Sequence, residues 1–162
     1  MLQQTKYREQ TEEWVNELFK FNNSVHLVIH YSDYLQTDKK KIFVSKIQRF
    51  VDDELVAINK RFFRRLEERV CIKGGRNRLR RLVVIEGKNG SSKHTHMIIE
   101  IPKDKDEEEF IVDIHNAVFM TKGMRNDYKD KVYEQKGLVN YLPKQSNRTI
   151  DNIDIRNSRY KL

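Results

Sequence analysis

Two histidines separated by one residue, in the run His94-Thr95-His96, are the residues of this chain best placed to do chemistry. Side chains in a strand alternate faces. Both imidazoles would therefore point the same way, with Cα atoms roughly 6 to 7 Å apart, close enough to reach one metal ion. A carboxylate, Glu86, ends the apolar run Leu82-Val83-Val84-Ile85 just before Asn89-Gly90, a tight-turn signature. A hairpin turning there brings Glu86 beside the histidines. Two imidazoles and one carboxylate leave coordination positions open for substrate and water, the pattern of a catalytic rather than a structural metal site. The H-x-H spacing also recurs by chance, on the wet face of any half-buried strand, so it needs support from elsewhere in the chain. The single cysteine, Cys71, excludes a cysteine-based zinc cluster.

An open metal site calls for a nucleophile. The sequence holds no G-x-S-x-G elbow and no Cys/His pairing, but it has seven tyrosines. Tyr128, Tyr133 and Tyr141 each stand three residues ahead of a lysine (Lys131, Lys136 and Lys144), one helical face apart if the segment is helical. Spacing alone does not choose among them.

Basic charge gathers between Lys60 and Arg81, where ten Lys and Arg residues face only Glu67 and Glu68. Arg64, Arg65, Arg69, Lys73, Arg76, Arg78, Arg80 and Arg81 lead directly into the histidine hairpin. Charge runs are often solvated helix faces, yet an excess in this position favours a phosphate-binding surface. Gly87 to Lys93 has the composition of a phosphate-cradling loop but lacks the G-x-x-x-x-G-K-[ST] spacing, so it reads as a hairpin turn.

Length and composition set the frame. At 162 residues, residues 1–162 make one domain of ordinary size with a single core. The formal net charge of +8 points to a polyanionic partner. One cysteine forbids an internal disulfide and fits a reducing compartment. No apolar run approaches membrane-spanning length, which leads us to expect a soluble, intracellular protein with no membrane partner.

The elements that must hold these residues follow from periodicity. Tyr7, Trp14, Leu18 and Phe21 fall at helical spacing in a first amphipathic helix, Gln3 to Phe21. Val25 to Tyr31 alternates as a strand. Its His26 and His30 lie about 13 Å apart, too far to share an ion unaided, and read as structural residues on a face bordering the site. Thr37 or Asp38 caps a long helix running to about Leu66, buried along Phe43, Ile47, Val51, Leu55, Ile58, Phe62 and Leu66. Gly74-Gly75 turns the chain toward the hairpin. After Pro102, the acidic run Asp104 to Glu109 opens a helix whose apolar face is Phe110, Ile111, Ile114, Val118 and Phe119, with His115 as a core or boundary residue. Tyr128 to Gln135 reads as a strand, Leu138 to Leu142 as a short helix, and Ile150, Ile153 and Ile155 as a last edge strand. The sum is an α+β domain: a central antiparallel sheet of about five strands flanked by helices.

Three elements in this order resemble the replication-initiator branch of the HUH endonucleases, which nick single-stranded DNA to begin rolling-circle or hairpin-primed replication. They are a strand carrying a glutamate (Glu86), a strand with H-x-H and an apolar run (His94 to Glu100), and a later tyrosine followed by lysine. Asn140-Tyr141-Leu142-Pro143-Lys144 looks like the parvoviral version, and this singles out Tyr141. The motifs cover roughly residues 80 to 145, and Thr95 stands where the family carries a bulky apolar residue. The resemblance implies an HUH-like fold, metal ligands Glu86, His94 and His96, nucleophile Tyr141 assisted by Lys144, and a 5'-phosphotyrosyl intermediate with a free 3'-OH. A mixed nitrogen and oxygen site suits Mg2+ or Mn2+. The partners implied are single-stranded origin DNA, with or without a stem-loop, and replication proteins of the host or the element. The compartment implied is the cytoplasm of a bacterial host for a plasmid or phage protein, and the nucleus for a eukaryotic virus. The rival readings are a single-tyrosine transposase of the same superfamily and a non-catalytic basic DNA-binding protein.

Overall fold

The fold comes from a computed structural model that describes residues 23–32, 44–70, 79–86, 93–125, 129–133, 154 and 156–159. The expected helix Gln3 to Phe21, the caps Thr37 and Asp38, Phe43, the turn Gly74-Gly75, the hairpin turn, the short helix Leu138 to Leu142, and Ile150, Ile153 and Ile155 lie outside these residues. So do Tyr141, Lys144, Lys73, Arg76 and Arg78.

The described chain runs β1 (Ser24–His30), α1 (Val44–Arg69), β2 (Arg81–Glu86), β3 (His94–Glu100), α2 (Glu107–Met120) and β4 (Lys129–Tyr133). The protein is α+β. Its strands form one antiparallel sheet in the order β2-β3-β1-β4. Four strands are therefore present among the described residues where about five were expected. Among the described residues the tail meets the sheet at an isolated bridge, Arg81 with Arg159. That bridge, and the bond from Asp154 N to Val83 O at 2.9 Å, lay the tail along the outer edge of β2 and satisfy backbone groups that would otherwise be orphaned.

Alternation in β1 divides the sheet into two faces. Val25, Leu27 and Ile29 point into the core with Met97 and Ile99 of β3 and Val83 and Ile85 of β2. Both described helices cover this face, α1 through Leu55, Ile58, Phe62, Phe63 and Leu66, and α2 through Phe110, Ile114, Ala117 and Val118. Each fully buried side chain of this size contributes about 1.5–3 kcal/mol of hydrophobic stabilisation.

α1 continues one turn past the expected end at Leu66, because Glu67, Glu68 and Arg69 all favour helix and no glycine or proline intervenes. α2 starts where its acidic lead predicts. Asp106 caps it by accepting from the backbone N–H of Glu108 and Glu109, and three glutamates fill the first turn. It ends at Thr121, before Gly123, whose φ of 102° lies in the left-handed region open to glycine. Two expectations on this helix are corrected. Phe119 is 76% exposed and His115 is exposed, because the buried stripe rotates through Phe110, Ile114, Ala117 and Val118 and leaves both outside it. No helix among the described residues is long and apolar enough to cross a membrane.

Candidate functional site

The face of the sheet turned away from α1 and α2 carries the histidines. Register does most of the positioning: His94 pairs with His30 on one side and Glu86 on the other, and His96 pairs with Val28 and Val84. Directly paired residues share a face, so β1, β2 and β3 bring His26, His30, His94, His96 and Glu86 to one side. The expected antiparallel pairing of β2 with β3 is present and Glu86 stands opposite His94. The strand places Glu86; its carboxylate is not among the described side chains.

The rings are close. His94 and His96 have centroids 5.1 Å apart with planes at 67°. A ring nitrogen about 2.1 Å from an ion puts the ring centre roughly 3.3 Å from it, so this spacing corresponds to an N–ion–N angle of about 100°, within the range for two ligands of one ion. Among the described side chains no group of three or more His, Cys, Asp or Glu is arranged to hold a metal. A three-ligand site thus rests on the two histidines together with Glu86.

β1 supplies what the sequence did not foresee. His26 Nε2 lies 3.0 Å from His96 Nδ1, and the two rings are 5.2 Å apart. His30 stacks at 5.5 Å on His94. One nitrogen of the His26–His96 contact must carry the hydrogen and the other accept it, which locks the rings in one relative orientation. With Nδ1 engaged, any metal ligation by His96 falls to Nε2. The i,i+4 spacing of His26 and His30 sets them about 13 Å apart along the strand, too far to share an ion unaided. It says nothing about their cross-strand neighbours, and the only signal for those was that they share parity on a strand.

Thr95 points to the other face. It is buried, and its hydroxyl donates to Val84 O at 3.1 Å, so a small polar residue at the centre of H-x-H costs no unsatisfied group. Of the three tyrosines that precede a lysine, Tyr133 lies on β4 opposite Ser24, which in turn pairs with Glu100. That register puts Tyr133 level with a residue about 13 Å along β3 from His96, and two strands away.

The basic residues separate into two groups. Arg64 and Arg69 are exposed on α1, where Arg64 makes a 3.9 Å surface pair with Glu68, and Arg65 is half-buried. Arg80 and Arg81 are committed to the fold. Arg80 forks onto Glu100, with Nε to Oε2 at 2.6 Å and a second bond from Nη2 to Oε1. Arg81 is only 6% exposed. It is ion-paired to Glu67, donates to Asn157 O at 2.6 Å and lies 4.0 Å over the Phe63 ring. Burial holds the Arg81 guanidinium pKa below its ordinary value, against the opposing pull of Glu67. Its strand register puts it on the core face, opposite Ile99, and not beside the histidines.

Beneath the tail runs a buried polar chain. Tyr31 Oη donates to Asn59 Oδ1 at 2.8 Å, Asn59 Nδ2 donates to Asp154 Oδ2 at 3.3 Å, and Asn157 Nδ2 donates to Asp154 Oδ2 at 2.6 Å and to Val56 O at 2.9 Å. Burial pushes the Asp154 carboxyl pKa above its ordinary value, opposed by hydrogen bonds from Asn157 and Asn59. No family model, curated protein or solved structure matches this chain.

Proposed function

We propose that this protein is a replication initiator of the HUH type, which nicks and rejoins single-stranded DNA at an origin through a divalent-metal-dependent 5'-phosphotyrosine intermediate. The observation that carries the reading is the shared face: register sets Glu86 opposite His94, and the His94 and His96 rings stand at the spacing of two ligands to one ion. Mg2+ or Mn2+ held by these three residues supplies neutralising charge for the non-bridging oxygens of a scissile phosphodiester.

In this reading the chain's own residues do the rest. His26 fixes the ring of His96 through the 3.0 Å contact, the kind of outer contact that orients ligating histidines. Tyr141 attacks phosphorus with its phenolic oxygen. The bond from phosphorus to the 3'-oxygen breaks, and the proton lost by the phenol is matched by the one gained at the 3'-OH. A phenol is largely protonated at neutral pH, with an ordinary pKa of about 10, so positioning must supply much of the rate, and Lys144 assists its ionisation. Arg64, Arg65 and Arg69 of α1, with Lys73, Arg76 and Arg78, hold the DNA backbone.

The deciding experiment incubates the protein with Mn2+ and labelled single-stranded origin DNA, then maps any covalent adduct by mass spectrometry. The expected nucleotide is on the peptide containing Tyr141, and Tyr141→Phe keeps DNA binding but forms no adduct. A nucleotide on Tyr128 or Tyr133 would move the nucleophile. Binding without any cleavage would leave the basic DNA-binding protein as the reading.

A further inference from the structure

The basic residues of α1 do not form a flat solvated face. With the tail they line a groove of about 550 Å3, within the size range of small-ligand sites. Six cations border it, Lys60, Arg61, Arg64, Arg81, Arg156 and Arg159, against two carboxylates, Asp53 and Glu67. Both carboxylates are already shared out. Asp53 pairs with Arg156 at 3.5 Å, while Glu67 takes Arg81 and also lies 3.6 Å from Arg159. Lys60 and Arg61 are exposed and join no ion pair among the described residues.

A second observation is independent of the charge count. Arg159 Nη1 is buried yet makes no hydrogen bond among the described residues, although Glu67 is near. The side chain as a whole is 30% exposed and lines the groove, so a charge that Glu67 satisfies only through a 3.6 Å ion pair is open to an anion there. The positive charge is also elongated. Lys60 and Arg64 are separated by about 6 Å of helical rise, and Arg156 and Arg159 reach α1 at Asp53 and Glu67, about 21 Å of rise apart, which suits a row of linked anions better than a single carboxylate.

We infer that the groove between α1 and the 156–159 tail binds a phosphate oligoanion, two or more linked phosphate groups drawn either from a free nucleotide or from a nucleic-acid backbone. The inference does not rest on the nuclease reading. Arg81 holds a core-face register position opposite Ile99, whereas His94 and His96 belong to the other face of the sheet. Sequence inspection had Arg64 and Arg81 in a phosphate-binding run, but Arg156 and Arg159 join them only through the packing of the tail.

The test uses inorganic tripolyphosphate as the probe in calorimetry on the full chain. One-to-one binding is expected, weakening as salt rises. Lys60→Gln with Arg61→Gln, at two exposed positions that the core does not use, is expected to weaken it about tenfold. His94→Ala with His96→Ala is expected to leave it unchanged, which separates this site from the histidine face. Displacement of the probe by a single-stranded oligonucleotide identifies backbone phosphates as the source. Displacement by a nucleoside triphosphate and not by the oligonucleotide identifies the free nucleotide. The inference is overturned if the wild-type chain takes up no tripolyphosphate, if the Lys60/Arg61 variant binds it as tightly, or if the histidine variant loses it.

Discussion

Replacing Glu67 by alanine tests whether the cations before β2 are surface contacts or structural members. In the structure Glu67 is 24% exposed at its side chain and accepts from two donors, Arg81 Nη1 and the Leu79 backbone N–H at 3.3 Å, while Arg159 lies at ion-pair distance, 3.6 Å. Losing a hydrogen bond to a charged group costs about 1.5–3 kcal/mol, and an orphaned backbone N–H adds about 1 kcal/mol. Water reaching the partly exposed site returns some of this, because exposed pairs are worth about 0–1 kcal/mol. The balance is about 3 kcal/mol, at the lower end of the range for stranding a buried charge. For a chain of this size that lowers Tm by roughly 6–12 °C. Urea denaturation of the wild type, Glu67→Ala, Arg81→Met and the double variant forms a cycle that reads the coupling directly. The double variant is expected to lose clearly less than the sum of the singles, because removing both partners leaves no uncompensated charge. A Glu67→Ala loss below about 1 kcal/mol, with additive singles, would make the pair an ordinary surface contact and return Arg81 to the DNA-binding candidates.

Three further outcomes follow from the geometry. Asp154 has its folded pKa raised by burial, so its contribution is fully present below the ordinary carboxylate value and is lost as pH rises through the raised one. Urea midpoints across pH 3 to 8 should therefore shift relatively in favour of Asp154→Asn as pH increases, and a shift in favour of the wild type would contradict the burial argument. His94→Ala should abolish Mn2+ binding measured by calorimetry while unfolding stays cooperative, since His94 lies outside the apolar core cluster; unchanged Mn2+ affinity would remove His94 from the ligand set. Neutralising Arg64 and Arg69 together should flatten the slope of log K against log salt for single-stranded DNA by roughly 0.7 per lost phosphate contact, and an unchanged slope would place the DNA elsewhere.

Much of the sheet was legible because its signals are local. The alternation of Val25, Leu27 and Ile29 with His26, Val28 and His30 fixes which face of β1 is apolar, and Asn89-Gly90 between two apolar runs announces the β2–β3 pairing. α2 was readable from its acidic lead and proline, yet Phe119 was misplaced. A helical stripe of large apolar residues is wider than the contact a neighbouring layer can bury, and only packing selects the residues on its edge. The expected last edge strand over Ile150, Ile153 and Ile155 falls outside the described residues, and the described part of the tail meets β2 through one bridge and single hydrogen bonds.

By itself the sequence determined the α+β class, the pairing of the Glu86 strand with the His94-Thr95-His96 strand, and their shared face, because strand parity and turn chemistry act over a few residues. Tertiary structure alone decided what crosses from one element to another. It seated β1 between β3 and β4, so that His26 touches His96 across 70 positions of sequence, and it turned Arg81 inward onto Phe63 and Glu67 instead of outward toward solvent. It also folded Arg156 and Arg159 back against α1 to close a basic groove with residues far away in the chain. These contacts depend on strand order and on the desolvation of particular side chains. Both are properties of the packed chain as a whole, which no local pattern of residue types encodes.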